Sequence, residues 1–154
     1  MRASEEMILL EKRIAGFGEF YKELIPTLVE FVGQMGVDHA HEVLKHAVRF
    51  APYLDRALRN MAIADERDKL WLLTRVGYFV GEYFAQKYGG CWFVNDTQGS
   101  RYFGRYVVGR FTVLNNGALM LDPFQIAQVY VAEQMPRQLE KLLTEVDTEL
   151  VGVK

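Results

Sequence analysis

The chain has only one cysteine, Cys91, among its 154 residues. An intramolecular disulfide is therefore excluded, and such sparing use of cysteine favours a reducing compartment. The first residues include Glu5 and Glu6, where a secretory signal has a basic segment followed by an uninterrupted apolar core. We therefore expect a cytoplasmic protein.

The sequence also lacks a long apolar run and an excess of one charge. Its most apolar stretch, residues 70–84, is interrupted by Thr74, Arg75 and Glu82 and is shorter than the roughly 20 residues that span a bilayer. The formal net charge is −2, so no basic field favours phosphate binding. We predict neither a membrane nor a nucleic acid as partner.

What the chain does have is the composition of a packed globular protein. Half of its residues are hydrophobic and 25% are charged. A chain of this length buries enough apolar surface for one core, which predicts a single domain over residues 1–154. A homodimer would suit this composition.

Helical periodicity dominates the first half of the chain. Apolar spacing predicts two opening helices separated at Gly16 and Gly18, with a kink or restart at Pro26. A third helix is expected over residues 38–50 and a fourth from Pro52 onward. The N-terminal half should be mostly helical.

A central helix is predicted from Asp65 to about Tyr88, stopped by Gly89, as the longest and most buried helix of the chain. Gly77 and Gly81 lie four residues apart on one face of it. Glycine weakens a helix interior, so a packing reason is expected, namely close approach of another helix or of a sheet.

After this helix the apolar period changes to that of strands. We predict α+β architecture with about six helices, a three- or four-stranded antiparallel meander packed on the central helix, and C-terminal helices. The predicted elements after residue 90 are a strand over 91–94, one or two strands over 106–108 and 111–114, a strand over 118–121 after a turn at 115–117, a helix capped by Asp122 and a last helix over 136–145.

The loop over residues 95–105 is the predicted functional surface. It is rich in turn-forming residues and carries Asp96, Arg101, Tyr102 and Arg105. Arginine and tyrosine on surface loops are typical of recognition sites. The alternative is an ordinary polar connection between strands.

A second candidate is a metal site at His39, Glu42 and His46, which share one face if they lie in a single helix. The two histidines would be about 10 Å apart, so one ion would need a further ligand from elsewhere. The adjacent-turn motif of zinc proteases is absent. We therefore predict a solvated helix face without metal or cofactor, and keep a metal-dependent hydrolase as the alternative.

Glu82 and Cys91 are the remaining candidates for chemistry. Burial would raise the pKa of Glu82, but Arg75 and Gln86 on the same stripe favour a solvated or ion-paired carboxylate. Cys91 precedes Trp92 in an apolar strand, which favours a buried, inert thiol. Phosphate-binding loops and nucleophile elbows are absent, so no catalytic residue is predicted.

Three segments together resemble a small bacterial domain of unknown function: Gly-Glu-Tyr-Phe at 81–84, Gly-Gly-Cys-Trp-Phe-Val at 89–94 and Leu-Asp-Pro-Phe at 121–124. The similarity covers about residues 78–130. Members of that group look like accessory or immunity-type proteins, which implies a non-enzymatic protein-binding role. The alternatives are the metal-dependent hydrolase and a structural subunit of a larger assembly.

Overall fold

The structure is a computed structural model that describes residues 2–152, with side chains from residue 5 onward. Within that range it is an α+β fold with a mostly helical first half, as predicted. The α-helices are α1 (Arg2–Gln34), α2 (Val43–Leu58), α3 (Glu66–Tyr88), α4 (Pro123–Ala132) and α5 (Leu139–Gly152), and a short 3-10 helix spans Ala40–Glu42.

The opening of the chain is one helix of 33 residues, so the prediction of two helices is wrong, and α1 rather than α3 is the longest. Gly16 does not end the helix, because Tyr106 packs there and its hydroxyl donates to the Arg13 carbonyl at 2.9 Å. Pro26 and Lys22, whose carbonyl loses its donor to the proline, are both exposed. Water can replace that hydrogen bond on the solvent side.

Helix α2 is broken at His46, whose backbone angles are φ −133° and ψ 43°, and it continues through Pro52. The predicted boundary between a third and a fourth helix is therefore misplaced. Gln86 of α3 repairs the break: Ala47 N donates to Gln86 Oε1 at 2.8 Å, and Gln86 Nε2 donates to the Val43 carbonyl at 2.9 Å. These two backbone groups would bond to each other in a regular helix.

Helix α3 begins and ends where the sequence predicts. Asp65 accepts a hydrogen bond from Asp68 N at 2.9 Å, and Gly89 ends the helix with a left-handed φ of 66°. A Cβ at Gly81 would overlap the indole of Trp92. At Gly77 it would overlap the ring of Phe124 in α4. The predicted close approach to the helix is therefore confirmed at both glycines.

The sheet is a three-stranded antiparallel meander of β1 (Cys91–Val94), β2 (Tyr106–Gly109) and β3 (Met120–Leu121). Val108 at its centre pairs with Trp92 on one side and with Leu121 on the other. The buried side chains of strands and helices form one hydrophobic cluster. None of the helices within residues 2–152 combines the length and apolarity needed to cross a bilayer.

The predicted strand over residues 111–114 is wrong. Arg110 has a left-handed φ of 56°, which turns the chain out of β2. Thr112 N then donates to the Gly89 carbonyl and Val113 N to the Tyr88 carbonyl, each at 3.2 Å. This segment therefore caps the end of α3 instead of extending the sheet.

Three buried charged residues fix the C-terminal helices. Asp122 caps α4 as predicted, accepting from Phe124 N at 3.0 Å. Helix α5 begins at Leu139 rather than near residue 136, because buried Asp55 of α2 accepts from Leu139 N at 2.8 Å. Just before it, buried Arg137 donates to the Met61 carbonyl at 2.8 Å and so covers the end of α2.

Candidate functional site

The predicted binding loop, residues 95–105, has a defined internal framework. Asn95 belongs to this predicted surface loop, but it is only 1% exposed and organises the loop from beneath. Its Nδ2 donates to Ser100 Oγ at 3.0 Å, its Oδ1 accepts from Thr97 N at 3.2 Å, and its carbonyl accepts from Gly104 N at 2.8 Å. The loop therefore holds its shape without a partner.

Arg101 and Tyr102 lie together on this loop. The guanidinium carbon of Arg101 is 4.6 Å from the centre of the Tyr102 ring, and a guanidinium nitrogen donates to the Tyr102 hydroxyl. Tyr102 N donates to Ser100 Oγ at 3.2 Å, which ties the pair to the loop framework. The loop thus presents a positive charge on an aromatic face.

Both residues line a groove of about 360 Å³, which we call the Arg101 groove. Its walls are the loop, β3, α4 and α5. Val129 is 52% exposed there, and Glu145 and Glu149 contribute negative charge from α5. The other lining residues are Leu119, Met120, Leu121, Asp122, Gln125, Ile126, Leu142, Val146 and Leu150.

The other two predicted residues do not line the Arg101 groove, although the guanidinium carbon of Arg105 is 5.8 Å from the centre of the Tyr102 ring. Arg105 forms an ion pair with Asp122, Nη1 to Oδ2 at 2.9 Å, and the Asp122 side chain is nearly buried where it caps α4. Arg105 therefore positions α4, and it lines a neighbouring depression of about 340 Å³. Asp96 is exposed and is not among the residues of the Arg101 groove.

The predicted common face of His39, Glu42 and His46 does not form. His39 has a left-handed φ of 53°, Glu42 ends the 3-10 helix, and His46 lies at the break in α2. His39 and Glu42 line a cavity of about 660 Å³ together with Arg49 and Arg56, whereas His46 is not part of its lining. Over residues 2–152, no three His, Cys, Asp or Glu side chains are grouped to hold a metal ion.

Another cavity, of about 510 Å³, lies where α1, α3 and β1 meet, and we call it the Glu82 cavity. Glu82 is 6% exposed there, and burial raises the pKa of its carboxyl. The expected solvated or ion-paired state is wrong, because Arg75 lies over Trp71 at 4.5 Å and Gln86 is bound to α2. The apolar residues on either side of Glu82 in the sequence were the signal that could have predicted its burial.

Trp92 and Cys91 flank this carboxyl from β1. The indole N–H of Trp92 partly offsets the rise in the pKa of Glu82. That contact is loose, because Trp92 Nε1 is buried without a partner in normal hydrogen-bond geometry. Cys91 is exposed at the cavity, so the expected buried thiol is wrong: strand side chains alternate, and Trp92 takes the inward side.

Aromatic rings from α1 form another wall of the Glu82 cavity. The rings of Phe17 and Tyr21 are nearly parallel with centres 6.2 Å apart. Burial raises the pKa of the Tyr21 hydroxyl, and the nearby Glu82 and Cys91 add to that rise. The cavity thus combines a buried acid with aromatic walls.

Comparison of the chain with protein families, with curated protein sequences and with solved structures found no match. The resemblance over residues 78–130 stays a prediction.

Proposed function

We propose that the protein is a non-enzymatic protein-binding module of the accessory or immunity type, and that it binds its partner through the Arg101 groove. The observation that carries this proposal is the Arg101–Tyr102 pair, held on a hydrogen-bonded loop beside an apolar groove. Arginine and tyrosine are the side chains most often found at the energetic centres of protein interfaces.

The framework of the loop favours binding as well. Asn95 fixes the backbone on both sides of the tip, so the loop loses little conformational freedom when a partner binds. Partly exposed apolar side chains, including Ile126 and Val129, then offer surface that a partner removes from water.

Charge in the groove indicates the chemistry of the partner. Arg101 contributes positive charge from the loop, while Glu145 and Glu149 contribute negative charge from α5. A complementary partner segment places an aliphatic or aromatic side chain in the groove, with an acidic residue toward Arg101 and a basic residue toward α5. The single cysteine supports a reducing cytoplasm as the site of this interaction.

The test is to identify the partner by affinity capture from the native host at native expression level, and then to measure affinity with both purified proteins. We expect Arg101→Ala and Tyr102→Ala each to weaken binding about tenfold or more. Arg67→Ala, at an exposed position in α3, is the matched control and should leave the affinity unchanged.

Charge reversal tests the orientation of the partner. Glu145→Lys should weaken binding, and reversing the facing basic residue of the partner should restore it. Unchanged affinity in the Arg101 and Tyr102 variants would refute the groove assignment. Capture that returns no stoichiometric protein would refute the binding role. Self-association through the groove would refute binding of a foreign protein there, because the partner would then be a second copy of the chain.

A further inference from the structure

The Glu82 cavity shares no lining residue with the Arg101 groove, so the proposed protein binding does not account for it. It combines a buried carboxyl group with aromatic side chains. Glu82 as a residue is only 6% exposed, and no lysine, arginine or histidine is among the side chains that line the cavity. The full lining consists of Phe17, Tyr21, Leu44, Glu82, Ala85, Gln86, Gly89, Gly90, Cys91 and Trp92.

Within the part of the chain that the structure describes, two polar groups of this cavity are incompletely paired, although the Trp92 indole N–H lies near enough to offset part of the rise in the pKa of Glu82. Glu82 is in no salt bridge, and Trp92 Nε1 has no acceptor in hydrogen-bond geometry. Buried charged groups are nearly always paired with an opposite charge, so a buried carboxyl without a cation, beside a loosely held indole N–H and a cavity, points to a bound species that supplies the missing charge. Gln86 is excluded as that partner, because its amide is already bound at both ends to α2.

We propose that the Glu82 cavity binds a small organic ammonium ion, with the Glu82 carboxylate as its counter-ion and the rings of Phe17, Tyr21 and Trp92 against its alkyl groups. A buried acid beside aromatic rings is the combination that recognises quaternary and alkyl ammonium groups. The cavity volume of about 510 Å³ accommodates a small molecule of this kind.

Other ligand classes fit the lining less well. An anion would meet Glu82 with no basic side chain to bind it. A metal ion would find only Glu82 and Cys91 as ligands of the right type, fewer than zinc takes from a protein. A cation, in contrast, pairs with the ionised carboxylate, which is also a stronger acceptor than the protonated form for the loosely held Trp92 N–H.

The experiment compares choline with 3,3-dimethyl-1-butanol, which has the same shape without the charge, by titration calorimetry on the full chain. We expect choline to bind at least about tenfold more tightly than the neutral alcohol. In Glu82→Gln this preference should vanish, whereas Glu140→Gln, an exposed glutamate of α5, should keep it. Tryptophan fluorescence provides a second readout, because Trp92 lines the cavity.

Binding should also tighten with rising pH as Glu82 loses its proton, and this dependence should be absent in Glu82→Gln. The other titratable groups that line the cavity are Tyr21 of α1 and Cys91 of β1. Tyr21→Phe and Cys91→Ser should therefore leave the pH dependence in place.

Equal binding of choline and the neutral alcohol would overturn the proposal, and so would an unchanged preference in Glu82→Gln or the absence of saturable binding. If Glu82→Gln does not fold, Trp92→Phe keeps the test open, because it removes the indole N–H and should weaken choline binding. The result is independent of the protein partner, since none of the cavity residues belongs to the Arg101 groove.

Discussion

Glu82 carries a carboxyl group that is largely desolvated, because the residue lies in the most buried part of α3. Because burial disfavours the charged form, its pKa in the folded state lies above the ordinary value of 4.5. In the unfolded chain the same carboxyl is hydrated. The protonation of this residue is therefore linked to folding.

Glu82→Gln should change the pH dependence of stability. As pH rises above about 4.5, the unfolded state releases this proton first, so the contribution of Glu82 to the free energy of unfolding falls until the pH passes the raised folded-state pKa. Glutamine cannot ionise. Denaturant unfolding at a series of pH values should show the variant gaining stability relative to the unmodified chain from pH 4.5 upward.

The exposed Glu140→Gln variant serves as the comparison and should show no such gain. If the curves of Glu82→Gln and the unmodified chain stay parallel with pH, the carboxyl of Glu82 is not desolvated in the folded protein.

Gly81 is a residue whose lack of a side chain the fold requires. Gly81→Ala places a Cβ against the Trp92 indole, which also packs against Phe20 of α1 and Phe124 of α4, so we expect a loss of about 1–3 kcal/mol in the free energy of unfolding. Gly18→Ala in α1 meets no atom within 4 Å and should stabilise by about 0.5–1 kcal/mol. Thermal or denaturant unfolding measures both, and equal effects would contradict the packing explanation.

At the scale of elements, α2 depends on a side chain from another helix. The break at His46 separates Val43 from Ala47, and the amide of Gln86 bonds to both of their backbone groups. The sequence of α2 contains no sign of this break, because His46 is a residue that ordinary helices accept. The break exists because α3 supplies the missing partners.

Gln86→Ala should therefore destabilise α2 as well as α3. Two backbone groups of fully buried residues lose their partners, which costs at least about 2 kcal/mol in the free energy of unfolding. Hydrogen exchange should show faster exchange at Ala47 than in the unmodified protein.

Gln34→Ala is the matched control, because Gln34 is exposed at the end of α1 and makes only a 3.4 Å bond to Glu30. Unchanged exchange at Ala47 in the Gln86 variant would show that the bridge does not hold the break.

At the scale of the whole molecule, side chains cap the ends of helices that lie far away in the sequence. Asp55 of α2 receives the first amide of α5, Leu139 N, and Arg137 covers the carbonyls at the end of α2. Lys87 and Tyr88 at the end of α3 both donate to Asp147 of α5. These contacts join the C-terminal helix to the helices of the first half.

Arg137→Met should loosen this connection. The variant keeps an apolar stem but leaves the Leu58 and Met61 carbonyls without their donor, so we expect a loss of about 2–3 kcal/mol. Denaturant unfolding measures the loss, and hydrogen exchange should locate it in both α2 and α5. Arg67→Met, at an exposed position, should change neither, and an equal loss there would contradict the cross-capping explanation.

Local signals in the sequence were sufficient for several features. Asp65 and Gly89 bound α3, Asp122 caps α4, and the change of apolar period at Gly90 marks the sheet, because caps, turns and periodicity act over a few neighbouring residues. The two glycines of α3 likewise predicted close packing against that helix. Arg101 and Tyr102 lie together because they are neighbours in sequence.

Only the tertiary structure decided the features that depend on distant partners. Helix α1 continues through Gly16, where Tyr106 packs against it. Residues 111–114 leave the sheet because the backbone amides of Thr112 and Val113 donate to carbonyls at the end of α3. Arg105 positions α4 because Asp122 lies beside it. Glu82 is buried rather than ion-paired because Arg75 and Gln86 find other partners. Each outcome is a competition between a local preference and a long-range contact, and the contacts win because they satisfy backbone or buried polar groups that have no other partner.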